Sequence, residues 1–254
     1  MMGTPEALRL ENERLQRELG QARAALEEFA SSVSHDLRAS LRHVSAYVQV
    51  IQEDLGDLGD MGKTAIAAHL ERVRQAARQM GRQMDGLTEL SRLARVDLQV
   101  STLDAGSLLC DARSALAPAL AGRTVDWRLA PDFPALSGDA ALLRQVWLHL
   151  LSNAVKFTFA REVTEIAVTW QTVDAGQCAL TVADNGVGFN LHCRDKLFHA
   201  FQRLHSAREF EGLGMGLALS RKIVERHGGT VWADGAPDAG CSVSFTWPLA
   251  RPAN

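Results

Sequence analysis

The sequence predicts two architectures in one chain, an all-helical N-terminal part followed by an α/β part. Apolar residues recur at helical spacing as far as Ala94, whereas beyond about Val100 short stretches alternate between apolar and polar residues. The chain has 254 residues, of which 46% are hydrophobic and 22% charged, and this is ordinary for a protein with a buried core. We therefore expect a helical dimerisation region and a separate α/β domain.

Residues 1–28 carry the pattern of a two-stranded coiled coil. Their apolar positions, continued into the next segment, follow two interleaved heptad lines: Leu8, Leu15, Ala22 and Phe29 on one, and Asn12, Leu19, Leu26 and Val33 on the other. Asn12 on a core line favours a paired, in-register coil, because a buried amide needs a partner. The alternative is one amphipathic helix that packs within its own chain.

Residues 29–98 predict a helical hairpin. Over 29–41 the apolar spacing changes to steps of four, and His35 falls on the opposite side from the apolar stripe, so its imidazole should face solvent. Glycines in 55–60 end this helix, and a second apolar series runs over 66–94. One hairpin leaves its apolar face half covered, so we expect two copies to form a four-helix bundle.

Residues 101–250 predict the α/β domain. Helical and strand-like patterns alternate along this segment, as in layered α/β folds. The helical patterns cover 104–120, 140–157 and 217–227, and the strand-like stretches cover 165–173, 178–183, 230–233 and 242–247.

Charge, hydropathy and cysteine content exclude several classes of protein. The net charge of −3 gives no basic field for nucleic acid. No apolar stretch is long enough for a membrane span, and the N-terminus lacks a signal peptide pattern, so we expect a cytoplasmic protein. The cysteines have no metal-binding spacing and should be reduced thiols: Cys110, Cys178, Cys193 and Cys241.

Four motifs follow one another in a fixed order. They are Ser34-His35-Asp36-Leu37-Arg38, Asn153-Ala154-Val155-Lys156-Phe157, Asp184-Asn185-Gly186-Val187-Gly188-Phe189 and Gly212-Leu213-Gly214-Met215-Gly216-Leu217. Their order and spacing, over about residues 29–250, resemble the two-component sensor histidine kinases, among which the phytochrome-like subgroup is one candidate. The resemblance implies a dimerisation and phosphoacceptor hairpin followed by a Bergerat-type ATP-binding domain with an α/β sandwich fold.

The resemblance also implies a reaction. His35 would accept the γ-phosphoryl group of ATP and pass it to an aspartate on the receiver domain of a response regulator. Asp36 is suited to orient the imidazole or to take its proton. Arg38 meets the incoming phosphate or only solvates the surface. The exposed face near His35, including Arg42, His43 and Tyr47, is the expected docking face for the ATP-binding domain and the receiver.

Within the ATP-binding domain, the resemblance assigns four kinds of contact. Asn153 binds Mg²⁺ between the nucleotide phosphates, and Lys156, on the same helix face, reaches phosphate oxygens. Asp184 accepts a hydrogen bond from the adenine amino group. Gly186 and Gly188 allow a tight turn beside the ligand.

The last glycine motif and the segment before it complete the expected pocket. Gly212, Gly214 and Gly216 precede the helical pattern that begins at Leu217, so amides at a helix start would cradle phosphates; the alternative is a simple loop. The long connection from 189 to 211 is read as a lid. Its residues expected beside the nucleotide are Phe198, Phe201, Arg203 and His205, although the phenylalanines could instead anchor the lid to the core.

Three positions depart from the family pattern. His149 stands where the family has a second asparagine, which predicts altered rather than abolished activity, since a neutral imidazole nitrogen can still contact phosphate or metal-bound water. Ser40 replaces a proline, so the helix should be less kinked. Ala39 replaces a Thr or Asn that positions water, which predicts weak phosphatase activity toward the partner.

Two other functions stay open at this point. The first is a catalytically degenerate dimeric scaffold that binds nucleotide and partner proteins, motivated by His149. The second is a Bergerat-type ATPase with another task, which leaves His35 and Asp36 unexplained. For the kinase, a separate sensory protein would act through the N-terminal coil, unless the chain is a piece of a longer protein. The stimulus, the response regulator and the choice between cis and trans phosphorylation are not determined.

Overall fold

The computed structural model describes residues 9, 14, 16, 33, 36, 37, 39, 40, 42–44, 46–51, 53, 60–174, 176–206 and 209–250. His35, Arg38 and most of the predicted coiled coil lie outside the described residues. The chain divides into two compact units, Met1–Gln83 and Met84–Asn254.

The first unit contains two antiparallel helical segments. The described residues between 33 and 53 are helical, and helix α1 spans Asp60–Arg95, which continues past this unit. The Ser40 hydroxyl donates to Gln83 Oε1 at 3.4 Å, and the rings of Tyr47 and His69 lie 6.2 Å apart. Moving forward along the first segment, from Ser40 to Tyr47, the contacts move backward along α1, from Gln83 to His69. The two segments are therefore antiparallel and form the predicted hairpin. The coiled coil and the four-helix bundle remain predictions.

The second unit contains seven strands and three further helices among its described residues. In chain order they are β1 (Ser101–Asp104), α2 (Ala105–Ala115), β2 (Thr124–Leu129), β3 (Ala135–Gly138), α3 (Ala140–Phe157), β4 (Val163–Thr172), β5 (Gln177–Asp184), α4 (Gly216–Arg226), β6 (Val231–Gly235) and β7 (Cys241–Pro248). Short 3-10 turns occur at Ala117–Leu120 and Leu191–Lys196.

The strands form one five-stranded mixed sheet and a small ribbon. The order in the sheet is β2-β4-β5-β7-β6, with β2 and β4 parallel and the other pairs antiparallel. β1 and β3 pair separately as an antiparallel ribbon. The register places Asp184, the last residue of β5, opposite Cys241, the first residue of β7. This end of the sheet carries one end of the site.

The core lies between the sheet and the helices. Along β4, Thr164, Ile166 and Val168 are fully buried in alternation, which is the pattern of a strand with one covered face. Trp147 of α3 meets Phe245 of β7 edge to face, with ring centroids 5.4 Å apart, and both side chains are fully buried. The α/β part of the predicted architecture is thereby confirmed.

Helices α2 and α3 begin with a side-chain cap, whereas helix α4 does not. The Asp104 carboxylate caps α2 by accepting from Ser107 N, and the Asp139 carboxylate caps α3 by accepting from the amides of Ala141 and Leu142. Helix α4 begins after Met215 without a side-chain cap. Its first amides therefore remain available to an anion.

The predicted elements are largely confirmed, with two differences. The predicted helix over 104–120 ends at Ala115 and is followed by a 3-10 turn, because Pro118 cannot continue the α-helical hydrogen bonds. Strands β1, β2 and β3 were not predicted, since they are short or flanked by irregular sequence. The boundary of the two units at Gln83 does not test the predicted domain limits, which stay predictions.

Candidate active site

A cavity of about 360 Å³ lies between α3, the ends of β5 and β7, the segment 189–214 and the start of α4. The cavity brings together most of the residues that the sequence singled out. Lining it are Asn153, Lys156, Asp184, Gly188, Arg203, His205, Gly212, Gly214, Gly216 and Leu217. Gly186 stands just behind the wall and donates its amide to Asp184 Oδ1 at 2.8 Å. Asp36 belongs to the first unit.

Asp184 supplies a largely buried carboxylate at one end of the cavity. Burial raises its pKa to about 6 from an ordinary value of 3.8, although hydrogen bonds from the Gly186 and Cys241 backbone and the charge of Arg161 act in the opposite direction. Above that pH the carboxylate is a strong acceptor for an amino group in the cavity. The neighbouring Cys241 also lines the wall, and burial raises the pKa of its thiol to about 12, so the thiol stays protonated.

Gly188 has a backbone that a side chain would not fit. Its φ is +61°, and a Cβ there would lie 1.9 Å from the carbonyl oxygen of Ala236. The β5 turn can therefore pass against the β6–β7 connection only with glycine at this position.

Arg161 contacts the turn that follows Asp184, and no pattern in the sequence singled this arginine out. Its guanidinium donates to the carbonyl oxygens of Asn185 at 2.7 Å, Gly186 at 2.8 Å and Asp238 at 3.0 Å. Three carbonyls from two loops thus share one cation. We infer that Arg161 positions the turn that carries Asp184.

One face of α3 forms a polar wall of the cavity. His149, Asn153 and Lys156 are spaced by four and three residues, so their side chains lie one above the other. Burial lowers the pKa of His149 to about 4, against a smaller opposing effect of the Glu89 carboxylate. The His149 imidazole is therefore neutral at physiological pH.

Lys156 is a partly desolvated cation. Burial and the nearby charge of Arg203 both lower its pKa. Its Nζ lies 4.3 Å from the centroid of the Phe157 ring, and a Cβ on Gly212 would come within 3.4 Å of it. A partly buried ammonium group close to a second cation, the exposed Arg203, favours an anion between or beside them.

Described residues of the segment 189–211 line the cavity and contact its rim. The rings of Phe157, His205 and Phe210 form a cluster in which the Phe157 and Phe210 centroids are 4.9 Å apart. His205 Nε2 bonds the Gly188 carbonyl oxygen at 2.9 Å, and Arg203 donates to the Phe210 carbonyl. These contacts agree with the expected lid.

Phe198 and Phe201 do not line the cavity. Phe198 is buried with Phe189 and Ala233 in a small cluster of its own, and Phe201 packs on the main core. Of the two interpretations of these phenylalanines, the geometry favours anchoring of the lid.

The glycine motif before α4 is a shaped loop. Gly214 has a φ of +71°, and a Cβ there would lie 2.5 Å from the Gln202 carbonyl oxygen, so the loop can approach the lid only through glycine. The uncapped start of α4 at Gly216 faces the same cavity as Asn153 and Lys156. Amide donors, one amide side chain and one ammonium group thus line the same cavity as Asp184, which is a chemistry suited to phosphates.

A divalent cation fits this donor set only together with a ligand. Among the described residues no group of three or more His, Cys, Asp or Glu side chains is placed to hold a metal ion. The Asn153 side-chain oxygen is a hard ligand of the kind Mg²⁺ accepts, but the remaining positions have to be filled by phosphate oxygens and water.

Residues 138–251 match the family described as histidine kinase-, DNA gyrase B-, and HSP90-like ATPase. Methanogenesis regulatory histidine kinase FilI of Methanothrix harundinacea is 31% identical over 238 residues, which cover 92% of this chain and 26% of FilI. Adaptive-response sensory kinase SasA of a Synechococcus strain is 30% identical over 221 residues, which cover 85% of this chain and 58% of SasA. The chain thus spans less than two thirds of these relatives.

Two solved structures share the fold. Histidine kinase ThkA in complex with response regulator protein TrrA superimposes with a TM-score of 0.64 at 18% identity, covering 98% of this chain and 68% of that chain. Full-length ShkA in complex with AMPPNP has a TM-score of 0.59 at 24% identity, covering 90% of this chain and 47% of that chain.

None of the helices that the structure describes has the length and apolar character needed to cross a bilayer.

Proposed function

Because the chain is a homologue of the two-component sensor histidine kinases and carries an ATPase domain of their family, we propose that it is an ATP-dependent protein histidine kinase. In this proposal it phosphorylates His35 and donates the phosphoryl group to an aspartate of a response regulator. The two structural neighbours support the two halves of the proposal, since ShkA was solved with AMPPNP and ThkA with the response regulator TrrA.

The observation that carries the proposal is the polarity of the cavity. The wall contains an acceptor, the Asp184 carboxylate, and a set of donors made of Asn153, Lys156 and the uncapped start of α4. A molecule with an amino-bearing ring and several negative charges matches both kinds of group at once, and ATP has this form. The apolar part of the wall, including Val182 and Val243, suits a flat base.

The donor groups act on the phosphates by positioning and charge neutralisation. Lys156 and the α4 amides would hold the β- and γ-phosphates, and Asn153 would share a Mg²⁺ ion with them. The ion supplies charge neutralisation on the phosphate oxygens when it is bound. The buried setting of Lys156 strengthens its attraction to phosphate, because less water screens the charge.

The phosphoryl transfer itself requires a nucleophile with a free lone pair. In the proposed reaction a ring nitrogen of His35 attacks the γ-phosphorus, the bond to the oxygen that bridges the β- and γ-phosphorus atoms breaks, and ADP leaves. Asp36 would hold the proton on the other ring nitrogen and so orient the imidazole. An aspartate oxygen of the receiver domain would then attack the phosphorus, the P–N bond would break, and the imidazole of His35 would leave.

A homodimer completes the proposal. Two hairpins would pair as a four-helix bundle, with the coiled coil of residues 1–28 receiving the signal from a sensory protein or domain. The exposed side chains of Arg42 and His43 on the first hairpin segment are offered as part of the docking face for the receiver.

The test is to incubate the purified chain with γ-labelled ATP and Mg²⁺, and to compare it with His35→Gln. We expect a protein-bound label that is stable to alkali and lost in acid, absent from His35→Gln and retained in His192→Gln, a variant of an exposed histidine outside the cavity. Nucleotide binding without any label would instead favour the degenerate scaffold. A label that persists in His35→Gln would refute the assigned acceptor.

A further inference from the structure

His149 and Asn153 form a pair of metal-ligand type on one helix face. They lie four residues apart on α3, and both side chains line the cavity. Pairs with this spacing hold a cation between two successive helical turns in other metal sites. The pair supplies one imidazole nitrogen and one amide oxygen.

The hydrogen bonds of Ser220 define which nitrogen of His149 is available. The Ser220 hydroxyl donates its only proton to the Gly216 carbonyl oxygen at 2.9 Å. Its oxygen lies 3.2 Å from His149 Nδ1, and with the hydroxyl proton directed to Gly216 we assign the ring proton to Nδ1. The neutral imidazole has a single N–H, and Nε2 is left with a free lone pair.

The His149 ring lies beside the start of α4. Its Cβ, Cγ and Cδ2 atoms lie 3.6, 3.6 and 3.7 Å from the position of a Cβ on Gly216, the first residue of α4. Among the described residues the structure gives Nε2 no hydrogen bond of its own.

We propose that His149 Nε2 is a ligand of the divalent cation that accompanies the nucleotide, shared with Asn153 and the phosphates. The proposal rests on the nucleotide-binding function proposed above. An imidazole nitrogen binds Mn²⁺ and later first-row cations more readily than Mg²⁺, which prefers oxygen. The site therefore admits Mg²⁺ but selects Mn²⁺, and His149 determines that selection.

Pulsed electron paramagnetic resonance of bound Mn²⁺ tests the bond itself. The full chain is mixed with Mn²⁺ and a non-hydrolysable ATP analogue, and nitrogen modulation from a coordinated imidazole is recorded. We expect the modulation only when nucleotide is present, and we expect His149→Asn to lose it. The matched control His192→Asn removes an exposed imidazole outside the cavity and should retain it.

Calorimetric titration with the same analogue tests the selectivity. Wild type should bind the analogue more tightly with Mn²⁺ than with Mg²⁺, and His149→Asn should reduce this preference about tenfold, at the low end of the effect expected for a group in a metal's environment. Metal-dependent binding without nitrogen modulation and with equal preference in both proteins overturns the proposal and leaves the kinase standing. Absence of nucleotide binding overturns both.

Discussion

At the scale of single residues, the site depends on a few groups whose environment changes their chemistry. Asp184 has its pKa raised by burial, Lys156 has its pKa lowered by burial and by Arg203, and His149 is kept neutral. Each shift follows from the loss of water around a polar group in a narrow cavity. The titration of Asp184 is the most directly measurable of these effects.

Nucleotide affinity should therefore depend on pH in the mildly acidic range. The carboxylate accepts from the adenine amino group, and the ionised fraction of Asp184 falls as pH drops through its pKa of about 6, so affinity should fall below that pH. Asp184→Asn should weaken binding by roughly 10- to 100-fold, the value of a charged hydrogen bond, and remove this pH dependence. Calorimetry between about pH 5 and about pH 7, about one unit either side of the transition, measures the affinity and its pH dependence. An unchanged pH profile in Asp184→Asn would exclude Asp184 as its source.

Arg161→Ala should move the same transition to higher pH. The Arg161 charge lowers the Asp184 pKa, so its removal raises that pKa, and the loss of hydrogen bonds to three carbonyls loosens the turn. We expect about tenfold weaker binding at neutral pH, equivalent to about 1.4 kcal/mol. Arg128→Ala, at an exposed arginine paired with Asp126 and Glu165, is the matched control. If both variants share the wild-type transition, Arg161 does not position Asp184.

At the scale of elements, the lid is held by its aromatic contacts. Phe210 is the residue of the segment 189–211 whose ring packs on both Phe157 and His205, while Phe198 and Phe189 fasten the lid root to a separate cluster. We therefore expect the part near Phe210 to open without disturbing the part near Phe189 and Phe198. This division predicts an effect on ligand release rather than on folding.

Phe210→Ala should accelerate nucleotide release. Loss of the ring removes two contacts that close the cavity, each worth roughly 0.5–1.5 kcal/mol, so the dissociation rate should rise about tenfold. Stopped-flow fluorescence with a labelled nucleotide measures the rate. Phe159→Ala is the control, because this phenylalanine is 74% exposed and lies outside the cavity wall. Equal dissociation rates in the two variants would contradict a closing role for Phe210.

At the scale of the whole molecule, the two compact units differ in whether they can bury their apolar side chains within one chain. The second unit has a complete core and a defined cavity, whereas the hairpin in the first unit is predicted to need a second copy to cover its apolar face. The predicted coiled coil and four-helix bundle therefore both depend on the chain being a dimer.

The full chain should be a dimer at micromolar concentration in light scattering. Joint replacement of two predicted coil positions, Leu15→Asp and Leu19→Asp, should raise the dissociation constant at least about tenfold, because it places charge in an apolar seam. Arg17→Asp, at an outward position of the same heptad, should leave the mass unchanged. A monomeric wild-type chain would refute both the coil and the bundle.

The sequence by itself determined the elements and the pocket residues that depend on local spacing. Helix α3 was predicted with its observed limits, and residues from three separate motifs, among them Asn153, Asp184 and Gly214, were predicted to share one pocket and do line one cavity. Their functional roles stay predictions. Such patterns are readable because helices and strands repeat every few residues and because glycine marks turns.

Only the tertiary structure decided which distant groups meet. The parallel pairing of β2 with β4, the hydrogen bonds of Arg161 to three carbonyls and the contact of Ser220 with His149 Nδ1 join residues far apart in the chain. Local periodicity carries no information on such pairs, since an arginine in a loop or a serine on a helix looks the same whether it faces solvent or a buried partner. Packing brings these groups together, and their chemistry follows from that contact.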